Sequence, residues 1–154
     1  MQLTLFTDLG LRVLMYLGGV PPDDAVTIAQ IAQRLGVAHN HLSKVVQFMG
    51  QQGWLNSVRG KGGGVRLAPD MAQSRLGHLV RTLERGNGLI DCASPPCALR
   101  GRCGLKSLLG DAEAAFYARL DEHTLADAVT PPTREVIVRL HRQDSAVSAP
   151  DPAA

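Results

Sequence analysis

Two short helical patterns split by a glycine turn, followed at once by a glycine-tipped hairpin pattern, constrain this chain more than any other feature. Thr27 can cap a helix whose apolar face is Ile28, Ile31, Ala32 and Leu35, and Gly36 can take the left-handed turn that ends it. A second pattern runs from His39 to Gln51. At 100° per residue, Leu42, Val45, Val46 and Met49 fall on one side of it, with Asn40, Ser43, Lys44 and Gln47 on the other. Two helices joined this tightly form a helix-turn-helix unit. Next, Trp54 to Arg59 reads as a strand, Gly60-Lys61-Gly62-Gly63-Gly64 as a flexible turn and Val65 to Ala68 as the return strand.

The outer face of the second helix offers amides, a hydroxyl and an ammonium, groups able to bond base edges or phosphates in a major groove. An ordinary solvated face is the competing reading for that helix alone, and His39 and His41 beside it suit surface or phosphate contacts better than metal ligation. The hairpin shifts the balance. Its glycines allow close backbone approach to a phosphate, and Arg59, Lys61 and Arg66 lie on or beside it, so it has the character of a basic wing. A nucleotide-cradling loop would need the Lys-Ser/Thr and following helix of the P-loop, which are missing.

Charge agrees with that division. The whole chain carries a net charge of only +2, but residues 25 to 69 hold Arg34, Lys44, Arg59, Lys61 and Arg66 and no acidic side chain. Residues 1 to 85 have nine basic and five acidic groups, residues 86 to 154 seven and nine. A cationic front half is a nucleic-acid footprint once a reading shape accompanies it.

An additional helix is expected before this unit, from Thr7 as N-cap to Gly18, on the stripe Leu9, Val13, Tyr16 and Leu17. Beyond it, Leu76, Leu79, Val80 and Leu83 predict a helix over 74 to 84, capped by Ser74. Periodicity then stops, and a Gly/Pro loop holds all three cysteines, Cys92, Cys97 and Cys103, spaced Cys-x4-Cys-x5-Cys. Disulfides are disfavoured by the odd count and a reducing compartment. Unligated structural thiols usually sit in regular elements, and closed zinc sites usually have four ligands with closer pairing. A larger iron-sulfur object can be wrapped by such a loop, with Arg100 and Arg102 offsetting thiolate charge.

From Leu105, a stripe of Leu108, Leu109, Ala112, Phe116 and Leu120 predicts one helix continuing to about Thr124, with a two-fold partner helix as its cover and packing back on the first helix of the same chain as the other, compatible reading. The fold class expected is mainly α: a winged helix-turn-helix domain over 1–69 with a two-stranded β-hairpin wing, a connecting helix and cysteine loop over 70–104, a long C-terminal dimerisation helix over 105–128, and a flexible tail over 129–154 that includes a short segment from Thr133 to His141. No apolar run approaches the ~18 residues of a membrane span and no secretory leader is evident, so the expected location is cytoplasmic, with no membrane partner. No nucleophile motif or His/carboxylate constellation outside the metal loop suggests an enzyme.

Together, Leu3-Thr4-Leu5-Phe6-Thr7-Asp8, the Ile28-Ala29 to Leu35-Gly36-Val37 turn, Leu42-Ser43-Lys44-Val45-Val46, the wing Val58-Arg59-Gly60-Lys61-Gly62-Gly63-Gly64 and the three cysteines resemble the Rrf-two family of winged-helix iron-sulfur regulators, most of all its nitric-oxide-sensing repressors. The resemblance covers residues 1 to about 128. It implies a homodimer on two-fold symmetric double-stranded operator DNA. It also implies one cluster per subunit, 4Fe-4S with 2Fe-2S as the alternative, on Cys92, Cys97 and Cys103, with nitric oxide as the signal. In that branch the fourth ligand is an N-terminal aspartate of the other subunit, the position Asp8 occupies; Glu84, Asp91 and His123 are the other candidates. A sister branch that senses iron-sulfur status, oxygen or redox state uses a histidine in the cysteine-loop region, and no histidine lies between His78 and His123 here.

Overall fold

The computed structural model describes residues 2–60, 62–85 and 88–142. The chain runs α1 (Leu5–Gly19), α2 (Ile28–Leu35), α3 (His39–Gln51), β1 (Leu55–Val58), β2 (Gly64–Leu67), a 3-10 helix (Pro69–Gln73), α4 (Leu76–Leu83), α5 (Gly104–Leu120), α6 (Leu125–Ala128) and α7 (Thr133–Arg142). No helix among the described residues is long and apolar enough to cross a membrane.

The helix-turn-helix forms as the sequence predicts. Thr27 and Gln30 make a reciprocal capping box at the start of α2, and Gly36 closes it at φ 64. The inward side chains of α3, Leu42, Val45, Val46 and Met49, are buried in one core with Val13 and Leu14 of α1 and Ile31 of α2. The wing strands are antiparallel, pairing Leu55 with Leu67 and Val58 with Gly64. Its base is tied to the α1–α2 loop: the Val26 N–H donates to the Val65 carbonyl at 3.0 Å, and the Val65 N–H to the Val26 carbonyl at 2.9 Å. A side chain on Gly64 would meet that Val26 carbonyl group at 2.5 Å, so glycine is required there by contact as well as by its φ of 158.

Four expectations need correction. The cap of α1 is Thr4, whose hydroxyl accepts from the Thr7 N–H at 3.2 Å, while Thr7 is buried one turn further in. Ser74 does not cap α4; its hydroxyl donates to the Met71 sulfur, and the strand-like pairing of Arg75 with Thr124 closes that helix start, with the Leu76 N–H donating to the His123 carbonyl. The C-terminal stripe is not one helix to Thr124. It breaks after Leu120 because Thr124 and Asp127 form a capping box that starts α6. The short segment expected within the tail is a docked helix, α7, which buries Ile137 against Gly19 at the end of α1. Residues 143–154 lie outside the described residues.

Candidate nucleic-acid interface and cysteine loop

Packing the apolar side of α3 inward turns its polar side out. Asn40, Lys44 and Gln47 are exposed, and Ser43 is half-buried with its hydroxyl donating to the His39 carbonyl at 2.9 Å. That bond satisfies the helix backbone first and leaves the hydroxyl oxygen as an acceptor. Arg59 is exposed at the end of β1, and Lys61 lies outside the described residues. Arg66 is placed differently from the other cations. It is half-buried at the wing base, opposite Asn56 in the register, and its Nε is sealed from solvent without a hydrogen-bond partner.

The three cysteines are free and half-buried on one irregular loop. The Cys97 N–H donates to the Cys92 carbonyl at 3.3 Å and the Arg100 N–H to the Cys97 carbonyl at 3.1 Å, so successive turns wind the loop. Cys103 stands at the N-cap of α5, beside the partial positive charge of its dipole. In donor chemistry the set suits an iron-sulfur cluster: three uncommitted thiols on one loop, with Arg100 and Arg102 exposed nearby. Their spacing makes no preformed mononuclear site, since among the described residues no three His, Cys, Asp or Glu side chains are grouped to hold a metal ion.

Three of the four fourth-ligand candidates, Asp8, Asp91 and Glu84, have side chains engaged within the chain. Asp8, in the first turn of α1, is held by Arg12 one turn on, through Nη2 to Oδ2 at 2.8 Å and Nε to Oδ1 at 3.0 Å. Asp91 accepts from the Ala93 N–H at 2.7 Å, a local turn. The backbone carbonyl of His123 receives the Leu76 N–H, while its side chain is exposed. Glu84 accepts the Thr4 N–H at 2.8 Å and the Thr4 hydroxyl at 3.2 Å, so it completes the cap of α1 from α4.

The neighbour of Glu84 makes a second link that sequence reasoning missed. Arg85 takes φ 59, rare outside glycine, and lays its guanidinium 4.5 Å over the ring of Phe6 and 5.3 Å from that of Phe48. Phe6 is on α1 and Phe48 on α3, and their rings meet edge to face at 5.4 Å. Glu84 and Arg85 immediately precede the stretch that carries the cysteines, so the root of that loop grips both the N-terminus of α1 and the candidate reading helix. Nothing in the local sequence signals this contact, because a positive φ at arginine follows from tertiary packing.

On the other flank, α5 meets α4 where Gly77 lies under Tyr117. A Cβ on Gly77 would sit 2.3 Å from the Tyr117 carbonyl. Burial pushes the Tyr117 phenol pKa up, the carboxylates of Glu113 and Glu84 add to this, and Arg81, 4.5 Å over the ring, opposes them. Along the rest of the expected dimer stripe Leu109, Phe116 and Leu120 are half-buried, while Leu105 is 61% and Leu108 68% exposed, as is Leu99 of the loop at 63%.

Solved structures with the same fold include a Listeria innocua chain described as a transcriptional regulator, 24% identical over 86% of this chain and 89% of that one, with a TM-score of 0.69. The IscR of T. potens is 22% identical, covering 84% and 86%, with a TM-score of 0.67. CymR, the global cysteine regulator of B. subtilis, is 23% identical, covering 84% and 96%, with a TM-score of 0.66. These likenesses carry the fold. A sequence family, Rrf2, described as iron-dependent transcriptional regulator, matches residues 3–131, which spans the reading helix, the wing, the cysteine loop and α5. The chain therefore belongs to the Rrf2 family of transcriptional regulators, proteins that are not enzymes.

Proposed function

We propose that this regulator is a repressor of the NsrR type, which binds a two-fold symmetric operator as a homodimer and leaves it when nitric oxide reacts at an iron-sulfur cluster. The observation that carries the reading is the double grip of Glu84 and Arg85, at the root of the cysteine loop, on Thr4, Phe6 and Phe48. The pair joins the start of the cysteine loop to α1 and to the helix proposed to face DNA.

For DNA, Asn40, Ser43 and Gln47 are the base-reading or phosphate-bonding groups of α3, and Lys44, Arg59 and Lys61 supply phosphate contacts. Arg66 adds a phosphate contact from the wing base rather than from its tip. The exposed Leu105 and Leu108 support a second copy of the chain as the cover of α5, and a two-fold pair of α3 helices then meets two half-sites about one helical turn apart.

Cys92, Cys97 and Cys103 would hold one cluster per subunit, 4Fe-4S or 2Fe-2S, with the partner subunit's Asp8 as the fourth ligand. When bound, the cluster supplies an iron open to a small diatomic ligand, because a carboxylate holds iron less firmly than a thiolate. The residues of the chain do the remainder: Arg12 orients Asp8 through two bonds, and the Glu84–Arg85 pair transmits loop position to α1 and α3. Switching requires that operator affinity differ between the two loop arrangements.

The test is chemical analysis of the anaerobically purified protein followed by a gel shift with and without nitric oxide. Iron with acid-labile sulfide, and loss of the operator complex on nitric oxide addition, are expected. Iron and sulfide with no response to nitric oxide would favour a sensor of cluster status, oxygen or redox state, and zinc alone would favour a zinc-stabilised DNA-binding protein.

A further inference from the structure

We infer that His141 is a positioning residue for DNA binding, which clamps α7 across the helix-turn-helix and fixes the end of α2 that leads into α3. The helix that carries it, α7, begins at Thr133, beyond residues 3–131 of the family match. The inference rests on α3 as the DNA-facing helix and is independent of the cluster and of nitric oxide.

One imidazole meets three elements. Its Nδ1 stands 3.0 Å from the Tyr16 hydroxyl of α1 and 3.1 Å from Arg34 Nη1 of α2, and its Nε2 stands 2.9 Å from Asp24 Oδ2 in the α1–α2 loop. A guanidinium has only donors, so Nδ1 accepts from Arg34 and the ring proton is on Nε2, donating to Asp24. The two ends differ in weight. The Asp24 side chain is 47% exposed and its bond is screened by water, whereas Tyr16 is 1% exposed and a buried hydroxyl needs its partners. Arg34 also donates to that hydroxyl, and its guanidinium lies 5.8 Å from the centre of the tyrosine ring. Arg34 is thus half-buried and turned inward, unlike the exposed Lys44 and Arg59 of the same acid-free stretch. It sits in the last turn of α2, and Gly36 turns the chain from there towards His39, the first residue of α3. One turn before His141, Ile137 packs on Gly19 so closely that a Cβ there would meet its Cγ2 at 2.7 Å, which gives α7 an apolar seat beside the polar clamp.

Without the clamp, α2 samples orientations in which α3 does not fit the groove, and affinity falls in proportion to the fraction that does. Fluorescence anisotropy of the full chain, purified anaerobically, tests this on a duplex selected by the parent chain from random sequence. His141→Ala is expected to weaken binding about three- to tenfold with the slope of log affinity against log salt unchanged, because no phosphate contact is removed. His141→Asn, whose amide oxygen stands in for Nδ1, should recover most of that loss, and His141→Gln, which keeps only a donor towards Asp24, should not. Ile137→Asp removes the apolar seat and should reproduce the alanine result, with faster hydrogen exchange in α2 and a circular dichroism spectrum that stays folded. A Lys44→Ala, Gln47→Ala double variant runs beside these as the check on α3. If it binds weakly while His141→Ala and Ile137→Asp bind like the parent, the positioning role alone is overturned. A salt slope reduced by about one in His141→Ala would also overturn it, by showing a lost phosphate contact instead. Parent-like binding by the double variant would overturn the reading of α3, and this inference with it.

Discussion

The Thr4 N–H donates to Glu84 Oε1 at 2.8 Å, so the first helix is capped by a carboxylate eighty residues away in the chain. A cap supplied by a distant element ties helix formation in α1 to the seating of α4. Glu84→Ala is expected to cost about 1 kcal/mol and to lower the thermal midpoint by about 2–4 °C, with Glu84→Gln closer to the parent because its amide oxygen still accepts. Hydrogen exchange should show faster opening of the first turn of α1 in the alanine variant. Unchanged protection there would remove Glu84 from the cap.

Arg85 combines a favourable contact with an unfavourable backbone. At φ 59 a side chain is disfavoured, yet its guanidinium stacks on Phe6 and Phe48. Arg85→Ala loses the stacking and keeps the strain, while Arg85→Gly loses the stacking and relieves it. The glycine variant is therefore expected to be the more stable of the two by about 1 kcal/mol in urea unfolding. If the proposed relay operates, both variants should also weaken the coupling between cluster state and operator affinity.

Lys44 is the exposed cation of α3, and Arg59 directly follows the first wing strand. Replacing either with alanine is expected to weaken binding to operator and to unrelated DNA alike, and to reduce the slope of log affinity against log salt by about one. Gln47→Ala should instead reduce the preference for operator over unrelated DNA. Fluorescence anisotropy at several salt concentrations separates the two behaviours, and a Lys44 variant with an unchanged salt slope would take Lys44 out of phosphate contact.

The α6 cap makes one region acid-sensitive. The Thr124 backbone N–H and then its hydroxyl, both donating to Asp127, hold the Asp127 carboxyl below its ordinary value of 3.8. Its contribution is accordingly complete above about pH 4 and lost as pH falls through the lower folded-state value. Asp127→Asn should lower the thermal midpoint at pH 7, and the gap between variant and parent should close as pH falls through the lowered folded-state value. A gap that persists in acid would show that charge is not what stabilises the cap.

Gly77 lets α4 and α5 touch. Gly77→Ala places a methyl group 2.3 Å from the Tyr117 carbonyl oxygen, with backbone on the receiving side. A loss of more than about 2 kcal/mol is expected, because neither helix can yield without disrupting its neighbours. A variant as stable as the parent in urea would mean that the two helices are free to move apart.

What the sequence displayed well was whatever depends on local periodicity. Helix α3 occupies His39–Gln51 as predicted, and the capping box at Thr27 with the left-handed Gly36 bounds α2, because these signals act over four residues. Choices among competing local signals were less legible. Thr4 and Thr7 are both competent caps, and the distant Glu84 accompanies the first of them. Ser74 is a good cap residue by type, but the pairing of Arg75 with Thr124 determines that end. Long-range contacts such as Arg85 on Phe48, or Ile137 against Gly19, have no local signature at all. The cysteine loop was legible as chemistry, since three thiols on an aperiodic stretch stand out, while its three-dimensional grouping was not.

The close seam at Gly77 and Tyr117 has a mechanical consequence for α5. Cys103 begins that helix, and Tyr117 is fourteen residues along it. With a rise of about 1.5 Å per residue, the free arm from fulcrum to cysteine is about 21 Å, so a tilt of about 3° at the seam carries the Cys103 end through about 1 Å. The helix is therefore a lever with its pivot near one end and a metal-loop residue at the other, and a sub-ångström adjustment between α4 and α5 is amplified where Cys103 sits.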